Sequence, residues 1–250
     1  MNPTTLHSLR RMARIVIAAM LTFSVSDVLA VPAVAPVLTP FSPETNGVVS
    51  GEVNRQLAFT GTATSFAATG LPRGVTLNTR TGLITGRPLV SGNFTLIFTA
   101  WNGPAKSAPL TVYWTVEPLP AGTAGSYNAL LDRQDWLNGG YGGSLRLTVN
   151  ADGTYSGVIN RGYHSNRIVG QLETQPGGVA PIGEFSVPRR SPYVPLQFAF
   201  VLPIGTGQIS GVLSEPDGFS ANLSGFRAAY SASRPATAFA GRWNTGYELP

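Results

Sequence analysis

Apolar and polar positions alternate with a period of two along much of this chain. Phe94, Leu96, Phe98 and Ala100 take one parity, with Asn93, Thr95 and Thr99 between them. After a break, Leu110, Val112, Trp114 and Val116 alternate with Thr111, Tyr113 and Thr115. That is the period of a half-buried strand. The intervening Asn102, Gly103, Pro104, Ala105, Lys106 and Ser107 have the composition of a hairpin loop. Further on, Leu145, Leu147 and Val149 repeat the pattern, as do Phe198, Phe200 and Leu202, and Phe219, Ala221 and Leu223. Asp152-Gly153 and Asp217-Gly218 are hairpin turns, because both residue types tolerate positive φ. A first edge strand is expected near Val37 and Leu38. Beyond residue 30 no stretch carries a capped helical pattern. The expectation is an all-β chain, with Leu71, Leu83, Ile84, Phe94, Leu96, Phe98, Val112 and Trp114 in its first core.

The pattern also divides the chain. Arg10, Arg11 and Arg14 precede an apolar run from Ile15 to Phe23, and Val28, Leu29 and Ala30 place short residues where a signal peptidase reads. Residues 1–30 therefore read as a secretory signal cleaved after Ala30; the run is about half the ~20 residues that span a bilayer. No later segment is long and apolar enough to cross a membrane as a helix. Residues 118–125, rich in Pro, Ala and Gly, read as a linker between a first domain at 34–117 and a second β-rich region at 126–235. Two internal echoes stand out. Thr154 to Ile159 (TYSGVI) resembles Gln208 to Leu213 (QISGVL), and Ala124 to Asn128 (AGSYN) resembles Ala240 to Asn244 (AGRWN). Residues 240–250 are accordingly expected to open a further repeat, the chain being a fragment of a longer modular protein; the alternative is chance agreement over five positions.

The most informative stretch lies between Ala68 and Asn102. Pro72 fixes φ in a bend flanked by Gly70 and Gly74. Residues 78–82 turn, with Gly82 available for positive φ. Leu83 and Ile84 return as a short strand that Pro88 ends. Taken in order, Gly70, Leu71, Pro72, Gly74, Thr81, Gly82, Ile84, Gly86, Pro88, Gly92, Ala100 and Asn102 resemble the immunoglobulin-like domains repeated in bacterial surface proteins, relatives of the cadherin and dystroglycan sandwiches. The resemblance implies an immunoglobulin-like β-sandwich over 34–117, followed by a second antiparallel β meander or partial barrel. These are turn and core residues, which speak for a fold and carry no chemistry. The second region resembles, through Gly125, Ser126 and Tyr127 and its spaced glycines, a Gly-rich β-module that accompanies such domains in large secreted bacterial proteins. The resemblance also suggests calcium, but that ion needs six to eight oxygens, several of them carboxylate. Residues 34–117 offer only Glu44, Glu52 and Glu117, so no cofactor is expected.

Composition narrows the chemistry. The chain has no cysteine, so an exported form relies on its β cores rather than on disulfides. Removing three arginines and Asp27 with the signal lowers the formal charge from +5 to +3. The remaining arginines are scattered, and Arg189-Arg190, the one adjacent pair, reads as a solvated loop. No nucleic-acid partner is expected, since that needs a clustered basic patch. His164, the single histidine past the signal, cannot form a multi-histidine metal site or, alone, a triad. Asp132 and Asp135 beside Trp136 could be a glycosidase pair, but nothing else supports it. Residues 139–143 lack the lysine and following helix of a P-loop. No catalytic, cofactor or metal residues are assigned. Trp136, Tyr141 and Tyr163, aromatics in Gly- and Asn-rich loops, are the candidate ligand contacts: flat rings beside amides suit sugars. Two readings follow: a structural or adhesive surface module that contacts surface polysaccharide or other protein modules, and a carbohydrate-binding accessory region of a larger secreted enzyme.

Overall fold

A computed structural model describes residues 32–40, 47–190, 193–216 and 218–229. The expected signal (1–30), the expected further repeat (240–250) with Trp243, and Asp217 of the second expected turn lie outside them.

The first module is a sandwich of short strands. β2 (Gly47–Val48), β5 (Ser65–Thr69), β8 (Gly92–Asn102) and β10 (Leu110–Glu117) form one sheet in the order β2-β10-β8-β5, with β9 (Ala105–Lys106) folded back on β8. β2 runs parallel to β10, and the rest of that sheet is antiparallel. Facing it, β3 (Val53–Gln56), β7 (Leu83–Gly86) and β6 (Val75–Leu77) form a second sheet, while β1 (Val37–Leu38) pairs with β4 (Phe59–Thr60). Phe66, Ile84, Leu96, Phe98, Ala100 and Val112 fill the space between the sheets.

The turn residues of the first module have specific work. Asn78 Oδ1 accepts from the backbone N–H groups of Arg80 and Thr81 at 3.0 and 3.2 Å, which closes the bend between β6 and β7. Gly86 (φ 130°) lies so close to Gly74 that a Cβ would strike the Gly74 carbonyl. Four of the eight expected core residues are only half-buried, Leu71 and Phe94 packing against the core cluster much as Trp114 does. Leu83 is half-buried and outside the core cluster, because neighbouring strand residues face opposite ways and Ile84 takes the inside. Trp114 packs against the core but stays half-buried, since β2 offers β10 only a two-residue edge there.

The second module is an eight-stranded meander that nearly closes on itself. β11 (Gly125–Leu131), β12 (Gly143–Val149), β13 (Thr154–Arg161), β14 (His164–Gln171), β15 (Ile182–Val187), β16 (Leu196–Val201), β17 (Gln208–Ser214) and β18 (Ser220–Arg227) follow one another. Every ladder is antiparallel, and β11 pairs with β18 to bring the ends of the meander together. The remaining seam, between β14 and β15, is bridged at one end by two backbone hydrogen bonds between Glu173 and Ile182, at 2.8 and 3.0 Å. Tyr155, on β13, reaches across it: its hydroxyl donates to the Glu184 carbonyl on β15 at 2.6 Å, over Gly170, where any side chain would obstruct the ring.

Inside, Tyr127, Leu145, Leu147, Tyr155, Ile159, Ile168, Phe198 and Phe200 are packed together with other apolar residues. Outside, the same strands present Ser126, Asn128, Arg146, Thr148, Arg167, Gln197, Ser210 and Asn222. The apolar interior contrasts with the polar lumen of a membrane-spanning barrel, while Leu130, Val158, Val169, Val212 and Phe226 are exposed among the polar residues outside. Among the described residues no helix is long and apolar enough to cross a membrane. The TYSGVI and QISGVL echo falls on β13 and β17, the third strands of the two successive four-strand halves of the meander. In both, the central glycine (Gly157, Gly211) faces inward beside a large neighbour, Leu147 or Phe198 and Phe200. Phe219 departs from the expected alternation: it precedes β18 and is exposed, so the strand begins with Ala221 and Leu223 inward.

Candidate functional site

The barrel has two unlike ends. At one, the turn between β12 and β13 and the segment between β14 and β15 meet the sandwich. Ser50, fully buried, is the only non-glycine residue with positive φ (69°) among the described residues. Its hydroxyl donates to the Leu172 carbonyl, its amide donates to Pro88 O at 2.7 Å, and its carbonyl accepts from Arg87 Nη1 at 2.9 Å. Thr174 Oγ1 donates to Val49 O at 2.6 Å, and Arg87 Nη2 stands 3.9 Å from Glu173. A Cβ on Gly153 would collide with the Ser50 side chain. Beside this junction lies a cleft of about 330 Å³, walled by Leu71, Leu96, Val112 and Trp114, with barrel residues 173–176 along one side. Its apolar wall is the edge of the sandwich core itself.

The other end carries the connections β11–β12, β13–β14, β15–β16 and β17–β18. In the first, the four-residue helix α1 (Asp135–Asn138) ends at Gly139 in left-handed conformation, φ 61°. Asn138, buried, fixes the loop from both sides: Gln134 N–H donates to its Oδ1 at 3.0 Å, and its Nδ2 donates to Asp132 O at 2.9 Å. This arrangement separates the three candidate aromatics. Trp136 is half-buried, packs on the barrel core and meets Phe219 at 5.8 Å between ring centroids; it caps the barrel. Tyr141 and Tyr163 come together, edge to face at 5.6 Å, and remain 70% and 89% exposed. Tyr193, also exposed, lies under the Arg189 guanidinium at 5.4 Å.

The acidic and basic residues at this end are spread among separate contacts. Asp132 accepts from Asn222 Nδ2 at 3.2 Å, and His164 is exposed. Among the described residues no three His, Asp or Glu side chains gather as a metal site. Arg189, expected in a solvated loop, is instead largely buried and ion-paired with Glu215, while Arg190 is exposed. Arg161 was not singled out by its sequence context. It continues the inward series Tyr155, Gly157 and Ile159, and that parity was the available signal. Only 5% of it is exposed; Nη2 donates to Asn166 Oδ1 at 3.0 Å, and Nε has no partner. Burial, with Arg189 nearby, pulls its pKa below the usual arginine value, yet arginine stays cationic in proteins.

Residues 28–117 match the family model described as Putative Ig domain. The match ends on Glu117, the last residue of β10, and contains the whole sandwich together with its turn glycines. Domains of this family are commonly extracellular and generally non-catalytic, and the family suggests a structural or adhesive module. The barrel lies outside the matched interval. Among curated proteins, none matches the chain.

Proposed function

We propose that this is an exported, non-enzymatic structural and adhesive protein that meets a saccharide surface with the loop end of its barrel. The observation that carries the reading is the exposed Tyr141–Tyr163 pair, held on connections that point away from the sandwich junction. Exposed rings beside amides offer a sugar an apolar face and nearby hydrogen-bonding groups. The sandwich acts as a spacer, and the pins at Ser50, Arg87 and Thr174 join it to the barrel so that the loop end is presented rather than left to swing. The amino-terminal pattern of arginines, short apolar run and Val-Leu-Ala ending supports export.

The test is binding of the chain lacking residues 1–30 to a panel of immobilised neutral and acidic polysaccharides. Replacing both tyrosines (Tyr141→Ala with Tyr163→Ala) should weaken retention by about tenfold or more, two ring contacts at about 1 kcal/mol each. The unfolding midpoint should stay put, because both rings are exposed. Failure to bind any member of the panel, or equal binding by the double variant, would sink the reading.

A further inference from the structure

Among the described residues, the loop end holds a cation with no ion-pair partner. Arg161 points into the barrel mouth, nine-tenths buried, with Nε unpartnered and one bond from Nη2 to the neutral Asn166 amide. Glu215, a carboxylate at this end of the barrel, is engaged by Arg189. His164, its cross-strand neighbour on β14, is exposed and supplies no negative charge. Across β12 the residue opposite is Gly143. Directly opposed residues project to the same face, so β12 itself puts no side chain beside Arg161 there, and Leu131 packs against that glycine instead. The adjoining residues 139–143 contain four glycines, and Gly162, next to Arg161, donates to Gly142 O at 3.1 Å.

A buried charge without a partner is costly, and removing one normally relieves a protein. A buried, unpaired arginine is also the residue best shaped to receive a carboxylate through two parallel N–H donors. We infer that Arg161, with Asn166 and Arg189 beside it, forms a receptor for a carboxylate group, and that the ligand of the loop end is an acidic sugar of the uronic acid class. This deepens the saccharide reading and rests on it for the sugar. Tyr163, two residues along the chain from Arg161, and Tyr141 would carry the ring, and the guanidinium would carry the acid.

The experiment is calorimetric titration of the same chain with oligogalacturonate, with the neutral galactose oligomer and with acetate. The uronate should bind about thirtyfold or more tighter than the neutral sugar, as expected for a buried charged hydrogen-bonding partner. Arg161→Leu should fold with an unchanged or higher unfolding midpoint and should lose that preference while keeping the neutral-sugar affinity. Tyr141→Ala with Tyr163→Ala should weaken both sugars together. If acetate and uronate bind alike and the neutral sugar not at all, the carboxylate receptor stands and the saccharide reading falls. If the unmodified protein prefers neither sugar, the receptor is overturned, and this arm needs no variant. Retention of the preference in Arg161→Leu overturns it as well.

Discussion

The two ends of the barrel solve opposite problems with similar residues. At the sandwich end, the Ser50 hydroxyl, the Arg87 guanidinium and the Thr174 hydroxyl each donate to a backbone carbonyl across the junction, while Gln171 Nε2 beside them is buried without a partner. At the loop end, Arg161 is as deeply buried but its Nε is not answered, and exposed tyrosines stand above it. Proteins keep buried polar groups satisfied except where something else is served. The difference that remains is contact: the sandwich end is bonded across a joint, whereas the loop end, where the proposal places the ligand, carries a buried cation under exposed rings.

Between the ends lies the layer that lets them differ. Tyr155 stacks edge to face on Phe200 at 5.2 Å and donates across the open seam to β15. Tyr155→Ala should remove about 3–5 kcal/mol, the range for emptying a large aromatic from a core, and should loosen both ends together. Urea unfolding followed at Trp136 measures the loss. A change below about 1 kcal/mol would mean that the backbone bridge at Glu173 and Ile182 closes the seam unaided.

The joint can be broken alone. Gly153 has φ 81° and touches Ser50. Gly153→Ala adds a methyl where both the backbone and the neighbour resist it, at a cost of about 1–3 kcal/mol. Calorimetry should then show sandwich and barrel melting separately, where the unmodified protein melts once. A single transition at an unchanged temperature would show that Ser50 does not couple the modules.

Much of this was legible in the sequence, and the failures have physical causes. Period-two alternation revealed strands in both modules because each buries one face. The glycine order between Gly70 and Gly92 revealed the sandwich because backbone segments touch there: a Cβ at Gly70, Gly74 or Gly86 would run into a carbonyl. The echo between β13 and β17 was legible because equivalent strands of the barrel need the same small residue inside. Leu83 was misplaced because two adjacent apolar residues leave the parity open. Ser50 was silent because a serine in a turn gives no sign that a second module will cover it. At the loop end, the aromatics were found by composition, but only three-dimensional packing could separate Trp136, a plug, from Tyr141 and Tyr163. Arg161 was hidden by its own type, since arginine at a strand end ordinarily faces water.

The smallest effect expected is electrostatic and sits at the joint. Asp152 Oδ1 accepts from the Thr154 hydroxyl at 2.6 Å and from the Thr154 amide at 3.0 Å. The hydroxyl bond chiefly, helped by backbone N–H groups and by Arg73 of the sandwich, holds its pKa below the ordinary carboxylate value against a weaker opposing effect of burial. A carboxyl whose folded pKa is depressed binds its proton more readily in the unfolded chain. Its contribution is therefore present above the unfolded pKa and is lost as the pH falls through the folded one. Asp152 is half-buried and still touches solvent, so screening keeps the contribution small. In Asp152→Asn the amide oxygen can still accept from Thr154 but nothing titrates. Wild type should exceed this variant in unfolding midpoint near neutral pH, and the gap should close as the solution is acidified below the ordinary aspartate range. Arg73→Ala should narrow the gap from the sandwich side if the arginine acts across the joint. A gap that stays constant from neutral to acid pH would assign the acid sensitivity of the joint to some other group.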